Sequence, residues 1–144
     1  MDNLAQSSSS DRMLWVVRVA WGISGLLWFI WLSYEDRSLT SVMLVAAAIL
    51  MAASLTIFYR SIWQRDLPGS RGFFWIALLG LVAGLSMSLL TVGLLVVKIS
   101  LHNHSVPDFS VLDMVSVLSR IPIWGIVGLL SGVSFGWMYA TKKR

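Results

Sequence analysis

Two histidines lie one residue apart in the segment "VVKISLHNHSVPDFS", residues 96–110, and their spacing is the clearest hint of chemistry in the chain. In an extended segment His102 and His104 point to the same side, and Asp108 or Asp113 can add a carboxylate. Two imidazoles and one carboxylate form a ligand set that suits Zn²⁺ or Fe²⁺. The spacing therefore indicates a candidate metal site at His102, His104 and Asp108.

The competing interpretation of the same segment is a polar turn between two membrane helices. The chain contains two histidines in all, so a third imidazole ligand is not available. The histidine boxes of membrane desaturases and hydroxylases resemble this segment only in having neighbouring histidines, because those enzymes use many of them. We favour the turn, expect no resident cofactor, and keep a bound metal as an alternative.

The composition indicates a membrane protein. Hydrophobic residues make up 57% of the 144 residues, charged residues make up 12%, and the mean hydropathy is +0.78. About a quarter of the residues of a typical soluble domain are charged. The net charge of +4 does not indicate nucleic-acid binding, because the basic residues fall at the ends of apolar runs. The absence of cysteine excludes thiolate metal sites, iron–sulfur clusters and covalently attached haem.

Four apolar segments are long enough to cross a bilayer, at about 13–34, 39–59, 73–97 and 121–139. A helix needs about 20 residues to cross a hydrocarbon core about 30 Å thick. None of the segments alternates with period 2, as a barrel strand does. We predict an all-α integral membrane protein in which a bundle of four transmembrane helices forms one membrane domain over residues 13–141.

A short helix is predicted before the last span, at about 109–120. Ser110 and Asp113 have the spacing of a capping box, and Pro122 suits the first turn of the following span. Apolar side chains cover one side of this segment and polar ones form a stripe on the other. The pattern is typical of a helix lying in the membrane interface.

Lysine and arginine are distributed unequally on the two sides of the predicted spans. Eight lie on one side (Arg12, Arg18, Arg60, Arg65, Arg71, Lys142, Lys143 and Arg144) and three on the other (Arg37, Lys98 and Arg120). The positive-inside rule then places both termini in the cytoplasm. Residues 1–12 are polar, with four consecutive serines, and we predict a disordered cytoplasmic tail. Tryptophans near the span ends indicate an aromatic belt, namely Trp15, Trp31, Trp63, Trp75, Trp124 and Trp137.

The last third of the chain looks like small bacterial membrane proteins. The resemblance is carried by "LHNHSVPDF" after the third span and by the "PIWG" entry into the glycine-rich last span. It implies the plasma (inner) membrane of a bacterium and carries over no activity and no functional residue.

Small residues recur along two of the spans at a spacing that puts them on one helix face. The third span carries Gly80, Gly84 and Ser88, and the fourth carries Gly125, Gly128, Gly132 and Gly136. Because lipid gives helices no hydrophobic reason to associate, small residues at such spacing let two backbones approach and pack closely. We interpret these residues as a helix-packing face, which serves either the chain's own fold or the docking of another subunit.

Charged residues inside the predicted spans are rare. Arg18 is the one candidate, and at its depth it can extend to the headgroups. No Asp, Glu, Lys or His falls in the core of a predicted span, which removes the buried carboxylate that a proton-coupled transporter needs.

We therefore expect a non-catalytic accessory, scaffold or assembly subunit of a larger membrane complex, surrounded by lipid and in contact with other subunits or with copies of itself. The alternatives are a small oligomeric transporter or channel lined by serines and threonines, and a metal- or cofactor-binding membrane protein using the histidine segment.

Overall fold

The computed structural model describes residues 2–33, 38–101 and 109–142, with side chains from residue 11 onward, and every regular element in these ranges is helical. The helices are α1 (Asp2–Ser33), α2 (Leu39–Phe58), α3 (Gly69–Leu101), α4 (Val111–Leu118) and α5 (Ile121–Lys142). A five-residue π-helical turn, Tyr59–Trp63, continues α2. The described part of the chain therefore has the predicted all-α class.

Four of these helical segments are long and apolar enough to cross a membrane, which confirms the predicted number of spans. They are Asp11–Ser33, Leu39–Trp63, Gly69–Leu101 and Val111–Lys142, the last of which includes α4. α3 extends beyond its predicted boundaries at both ends, because it begins four residues earlier and ends four residues later than the predicted 73–97. Nothing in the sequence stops it there, because glycine and serine at its start and "KISL" at its end are compatible with helix.

The first helix begins at Asp2, so residues 2–12, which we predicted to belong to a disordered tail, have helical backbone. The physical reason is that extending an existing helix adds one hydrogen bond for each residue fixed and avoids the cost of nucleation. The apolar segment after Met13 supplies that existing helix.

The principal helix contacts follow the order of the chain. α1 packs on α2, α2 packs on α3, α3 packs most extensively on α5, and α4 lies against α3. α3 is thus the central helix, with α5 on one side and the α1–α2 pair on the other. α1 is the least buried of the four, with 6% of its apolar window inside the protein, against 33% for α3.

The π-helical turn ends the α2 segment. Tyr59 and Ile62 are buried there, and the backbone N–H of Gln64 donates to the carbonyl oxygen of Tyr59 at 3.0 Å. Asp66 follows with a φ of 47°, in the left-handed region that aspartate tolerates better than most side chains. This residue turns the chain toward the start of α3.

The predicted capping box before α4 is confirmed. The Ser110 hydroxyl accepts the backbone N–H of Asp113 at 3.2 Å, and the Asp113 carboxylate accepts the backbone N–H of Ser110 at 2.9 Å. α4 spans Val111–Leu118, slightly less than the predicted 109–120. Its position relative to a membrane interface stays a prediction.

Candidate functional site

The small residues of α3 and α5 bring the two backbones into direct contact. A Cβ added at Gly80 collides with the carbonyl oxygen of Gly128, and one added at Gly84 collides with the carbonyl oxygen of Trp124. In the other direction, a Cβ on Gly128 meets Gly80, and one on Gly132 lies 2.8 Å from a carbonyl oxygen of α3. We call Gly80, Gly84, Gly128 and Gly132 the glycine contact. Its four residues face each other within one chain.

The other predicted packing residues lie around the glycine contact with less demanding surroundings. A Cβ on Gly136 approaches the carbonyl oxygen of Phe73 at 3.0 Å, and one on Gly125 meets the end of the flexible Leu85 side chain at 2.7 Å. Ser88, one turn beyond the glycines of α3, is 1% exposed, and its hydroxyl makes no hydrogen bond to the described residues. The predicted packing residues are therefore of two kinds. The glycine contact has no space for any side chain, whereas the positions around it are less tightly enclosed.

A buried lysine lies near the end of α3. Lys98 is 1% exposed, and its ammonium nitrogen is 4.9 Å from the ring centroid of Trp31 on α1. A cation over an indole face is attracted by the ring's electrons. The predicted third span ends at Val97, and α3 continues through Lys98 to Leu101, so this residue is part of the helix. The aliphatic stem of lysine packs like hydrocarbon, so the helix loses little by burying it.

Lys98 and Trp31 belong to a core that joins α1, α2 and α3. The buried apolar members of this Trp31 core are Trp31, Val42, Val45, Ala46, Met87, Leu94, Leu95 and Phe109. Trp31 is 4% exposed, so its ring packs inside the protein, which contradicts its predicted place in an aromatic belt, whereas Trp15 and Trp137 are each 65% exposed. The indole N–H of Trp31 has no hydrogen-bond partner among the described residues. A polar donor and a cation therefore lie among these buried apolar side chains.

One feature of the sequence is consistent with this buried lysine. Ile99 and Leu101 continue the apolar pattern beyond Lys98, with no glycine or proline between Val97 and Leu101. A helix that continues in this way carries Lys98 to the same face as Leu94 and Leu95, which are 2% and 0% exposed.

α1 presents one face to α2 and leaves the opposite face open. Val17, Ser24 and Trp31 recur every seven residues and are buried. The Ser24 hydroxyl donates to the carbonyl oxygens of Ala20 at 2.8 Å and Ala48 at 2.9 Å, which ties α1 to α2.

The open face of α1 consists of Trp15, Arg18, Gly22, Gly25 and Phe29. A Cβ added at Gly22 or Gly25 meets no atom within 4 Å, in contrast with every residue of the glycine contact. Trp15 and Phe29, at the two ends of this face, are 65% and 68% exposed. The α1 glycines are thus open to a neighbour that the described residues do not supply.

The proposed metal ligands His102, His104 and Asp108 lie outside the described residues, and the metal site stays a prediction. Within residues 2–33, 38–101 and 109–142 no group of three or more potential metal-ligating side chains occurs. Asp113, the other carboxylate considered for that site, is engaged in the capping box, where the Ser110 hydroxyl donates to it at 2.8 Å.

The chain was compared with models of protein families, with curated proteins and with solved structures. No family model, no curated protein and no solved structure matches it.

Proposed function

We propose that this protein is a non-catalytic accessory subunit that holds a partner membrane protein against the open face of α1. The residues of this face follow one another at alternating intervals of three and four positions. This spacing keeps side chains along one seam of a helix, and it is the spacing by which one helix packs against another. The glycines in the middle of the seam provide room for a second backbone.

Arg18 is the single observation that carries the proposal. Its exposed side chain lies seven residues inside the span that begins at Asp11, or about 10 Å along the helix axis. A cation at that depth is costly in lipid unless it extends to the headgroups or meets an anion. A carboxylate or a carbonyl on a partner helix, packed at Gly22, would lie within reach of Arg18 and would favour one partner over others.

The glycine contact is excluded as the docking surface, which favours the open face of α1. Gly80, Gly84, Gly128 and Gly132 already pack against each other within the chain, so they are not available to another subunit while the fold is intact. Among the glycines of the spans, Gly22 and Gly25 on α1 remain accessible, whereas the accessible Gly93 on α3 has no second small residue three or four positions away. The proposed docking face is therefore α1 and not the α3–α5 pair.

The test is site-specific photo-crosslinking from position 22 in native membranes, followed by purification in mild detergent. We expect a crosslink to one foreign membrane subunit, which also co-purifies with the wild-type chain in a fixed ratio. The Gly22→Leu variant is expected to fold normally and to lose that subunit. Gly93→Leu is the matched control, because Gly93 on α3 also has nothing within 4 Å of an added Cβ and lies outside the proposed face.

Two results contradict the proposal. If position 22 crosslinks only to lipid, and Gly22→Leu co-purifies with the same proteins as the wild type, α1 is not a docking face. If position 22 crosslinks to a second copy of the same chain, the protein is a homo-oligomer and not an accessory subunit.

We further propose that both termini lie in the cytoplasm of a bacterium and that the chain resides in the plasma membrane. The unequal distribution of lysine and arginine, eight against three, supports this orientation. Reporter enzymes fused after Arg144 test it, since a reporter that is active only outside the cytoplasm is expected to stay silent. Activity of that reporter would reverse the orientation.

A small transporter or channel is the second candidate, and the burial of Lys98 is the observation that favours it. Ionisable residues inside membrane spans often mark substrate or ion pathways. The hydroxyl of Ser88 and the indole N–H of Trp31, which have no hydrogen-bond partner among the described residues, would be further polar groups for such a pathway. Flux measurements in proteoliposomes distinguish the two functions: Lys98→Met abolishes flux if the protein transports, and no flux is expected from an accessory subunit.

A further inference from the structure

A groove runs between the end of the α2 segment and the first half of α3. It has a volume of about 320 Å³, and its lining consists of Ile57, Ser61, Ile62, Arg65, Leu67, Trp75, Leu78, Leu79 and Val82. The α3 side is a single helix face, because its four residues follow the pattern i, i+3, i+4, i+7. The groove is separate from the glycine contact and from the open face of α1.

The groove is polar at one end and apolar along the rest. Ser61 and Arg65 lie next to the α2–α3 connection, whereas Ile57, Leu78 and Val82 lie farther along the two helices. The α3 residues from Trp75 to Val82 cover seven residue steps, or about 10 Å of helix. A ligand that matches this lining has an anionic or polar head and a hydrocarbon tail.

The charges around the polar end favour an anion. The residues from 60 to 71 include Arg60, Arg65 and Arg71 and a single acid, Asp66, which gives a formal charge of +2. Of the three arginines, Arg65 is the one that lines the groove. Basic pockets between membrane helices recognise anionic lipid headgroups by this kind of charge.

The π-helical turn supplies the polar end. Ser61 lies within this turn and Arg65 lies two residues after it. One wide turn changes the direction in which the following side chains leave the helix, and such turns occur often at functional sites. Burial of Tyr59 holds the turn against the protein, and Ser61, Ile62 and Arg65 line the groove.

We propose that this groove binds one anionic phospholipid from the leaflet on the side of the α2–α3 connection. The phosphate of this lipid lies at Arg65 and Ser61, and one of its acyl chains lies along Trp75, Leu78 and Val82. A free phosphate ion would leave the apolar length of the groove unfilled.

Native mass spectrometry of the full chain tests the proposal, after exchange into mixed micelles that contain equal amounts of phosphatidylglycerol and phosphatidylcholine. We expect one retained phosphatidylglycerol molecule in preference to phosphatidylcholine. Arg65→Gln is expected to reduce that preference about fivefold, the effect of one cation near a charged lipid surface. Arg71→Gln is the matched control, because Arg71 lies in the same charged region without lining the groove.

A second pair of variants tests the apolar part of the groove. Val82→Trp fills the proposed acyl position and is expected to remove the bound lipid, whereas Leu89→Trp, on an exposed part of α3 outside the groove, leaves it bound. Equal lipid retention by Val82→Trp and the wild type would overturn the acyl-chain assignment. Equal losses from Arg65→Gln and Arg71→Gln would overturn the headgroup site and show general surface attraction. Displacement of the lipid by inorganic phosphate alone would reduce the site to an anion site.

Discussion

The two halves of α3 are packed by opposite means. From Gly72 to Gly84 the helix meets α5 through glycines, and atoms of the two backbones touch. From Met87 to Lys98 it meets α1 and α2 through large side chains, including Leu94, Leu95 and the indole of Trp31. In the first half, a Cβ at Gly80 or Gly84 would collide with the backbone of α5. In the second half, large side chains fill the space between the helices.

This difference matters because burying leucine away from lipid gains little free energy, whereas burying it away from water gains much. Close backbone approach increases dispersion contacts, so the glycine half of α3 has the stronger reason to associate in a membrane. The other half depends on shape, on a cation over an indole ring, and on hydrogen bonds such as those of Ser24. We therefore expect the α3–α5 pair to be the most resistant part of the fold.

The largest effect is expected at the glycine contact. Gly80→Leu forces α3 away from the carbonyl oxygen of Gly128 and is expected to cost about 3 kcal/mol or more, the upper range for overpacking. The measurement is unfolding by sodium dodecyl sulfate, titrated into protein held in a mild detergent.

Gly93→Leu is the matched control on the same helix, because an added Cβ there meets no atom within 4 Å. We expect a change within about 0.5 kcal/mol for this variant. If both leucine variants unfold at the same detergent composition, backbone contact is not what stabilises the α3–α5 pair.

An intermediate effect is expected in the other half of α3. Lys98→Ala removes the buried stem and the cation over the Trp31 ring, and we expect a loss of about 2 kcal/mol. The same detergent titration measures it, with the exposed Lys142→Ala as the control. If Lys98→Ala lowered the free energy of unfolding as much as Gly80→Leu, the glycine half of α3 would not be the more important of the two halves for stability.

The smallest effect is expected between α1 and α2. Ser24→Ala removes the hydrogen bond to the carbonyl oxygen of Ala48 and is expected to cost about 0.6 kcal/mol, the average for hydrogen bonds between membrane helices. Ser131→Ala is the control, because the Ser131 hydroxyl donates at 2.8 Å to Val127 of its own helix. Equal effects of the two variants would mean that the Ser24 bond adds nothing to helix association.

The sequence was sufficient for features that depend on local pattern. Four apolar runs gave the number of membrane-length helices, and the Ser110–Asp113 spacing gave the capping box at the start of α4. Both follow from chemistry within one turn or one segment, so no knowledge of neighbouring helices was needed.

Features that depend on a neighbour were not predictable in the same way. From the sequence, we predicted Lys98 at a span end and Trp31 in the aromatic belt. Both are buried, and the Lys98 ammonium lies over the Trp31 ring on another helix. Likewise, small residues at helical spacing predict a packing face on α3 and α5, and the Gly22–Gly25 pair of α1 has a similar spacing. The sequence does not tell which of these faces meets another helix of the same chain, and the structure separates Gly80 from Gly22 on that point.

The 33 residues of α3 also bear on bilayer thickness. At 1.5 Å per residue the helix is about 50 Å long, against a hydrocarbon core of about 30 Å. α5, with 22 residues, matches that core, so α3 must tilt or project from the membrane while α5 need not. A thicker bilayer would admit a more upright α3 and a thinner one would increase its tilt. Because the glycine contact holds α3 and α5 together, a change in the tilt of α3 is expected to change the tilt of α5 as well.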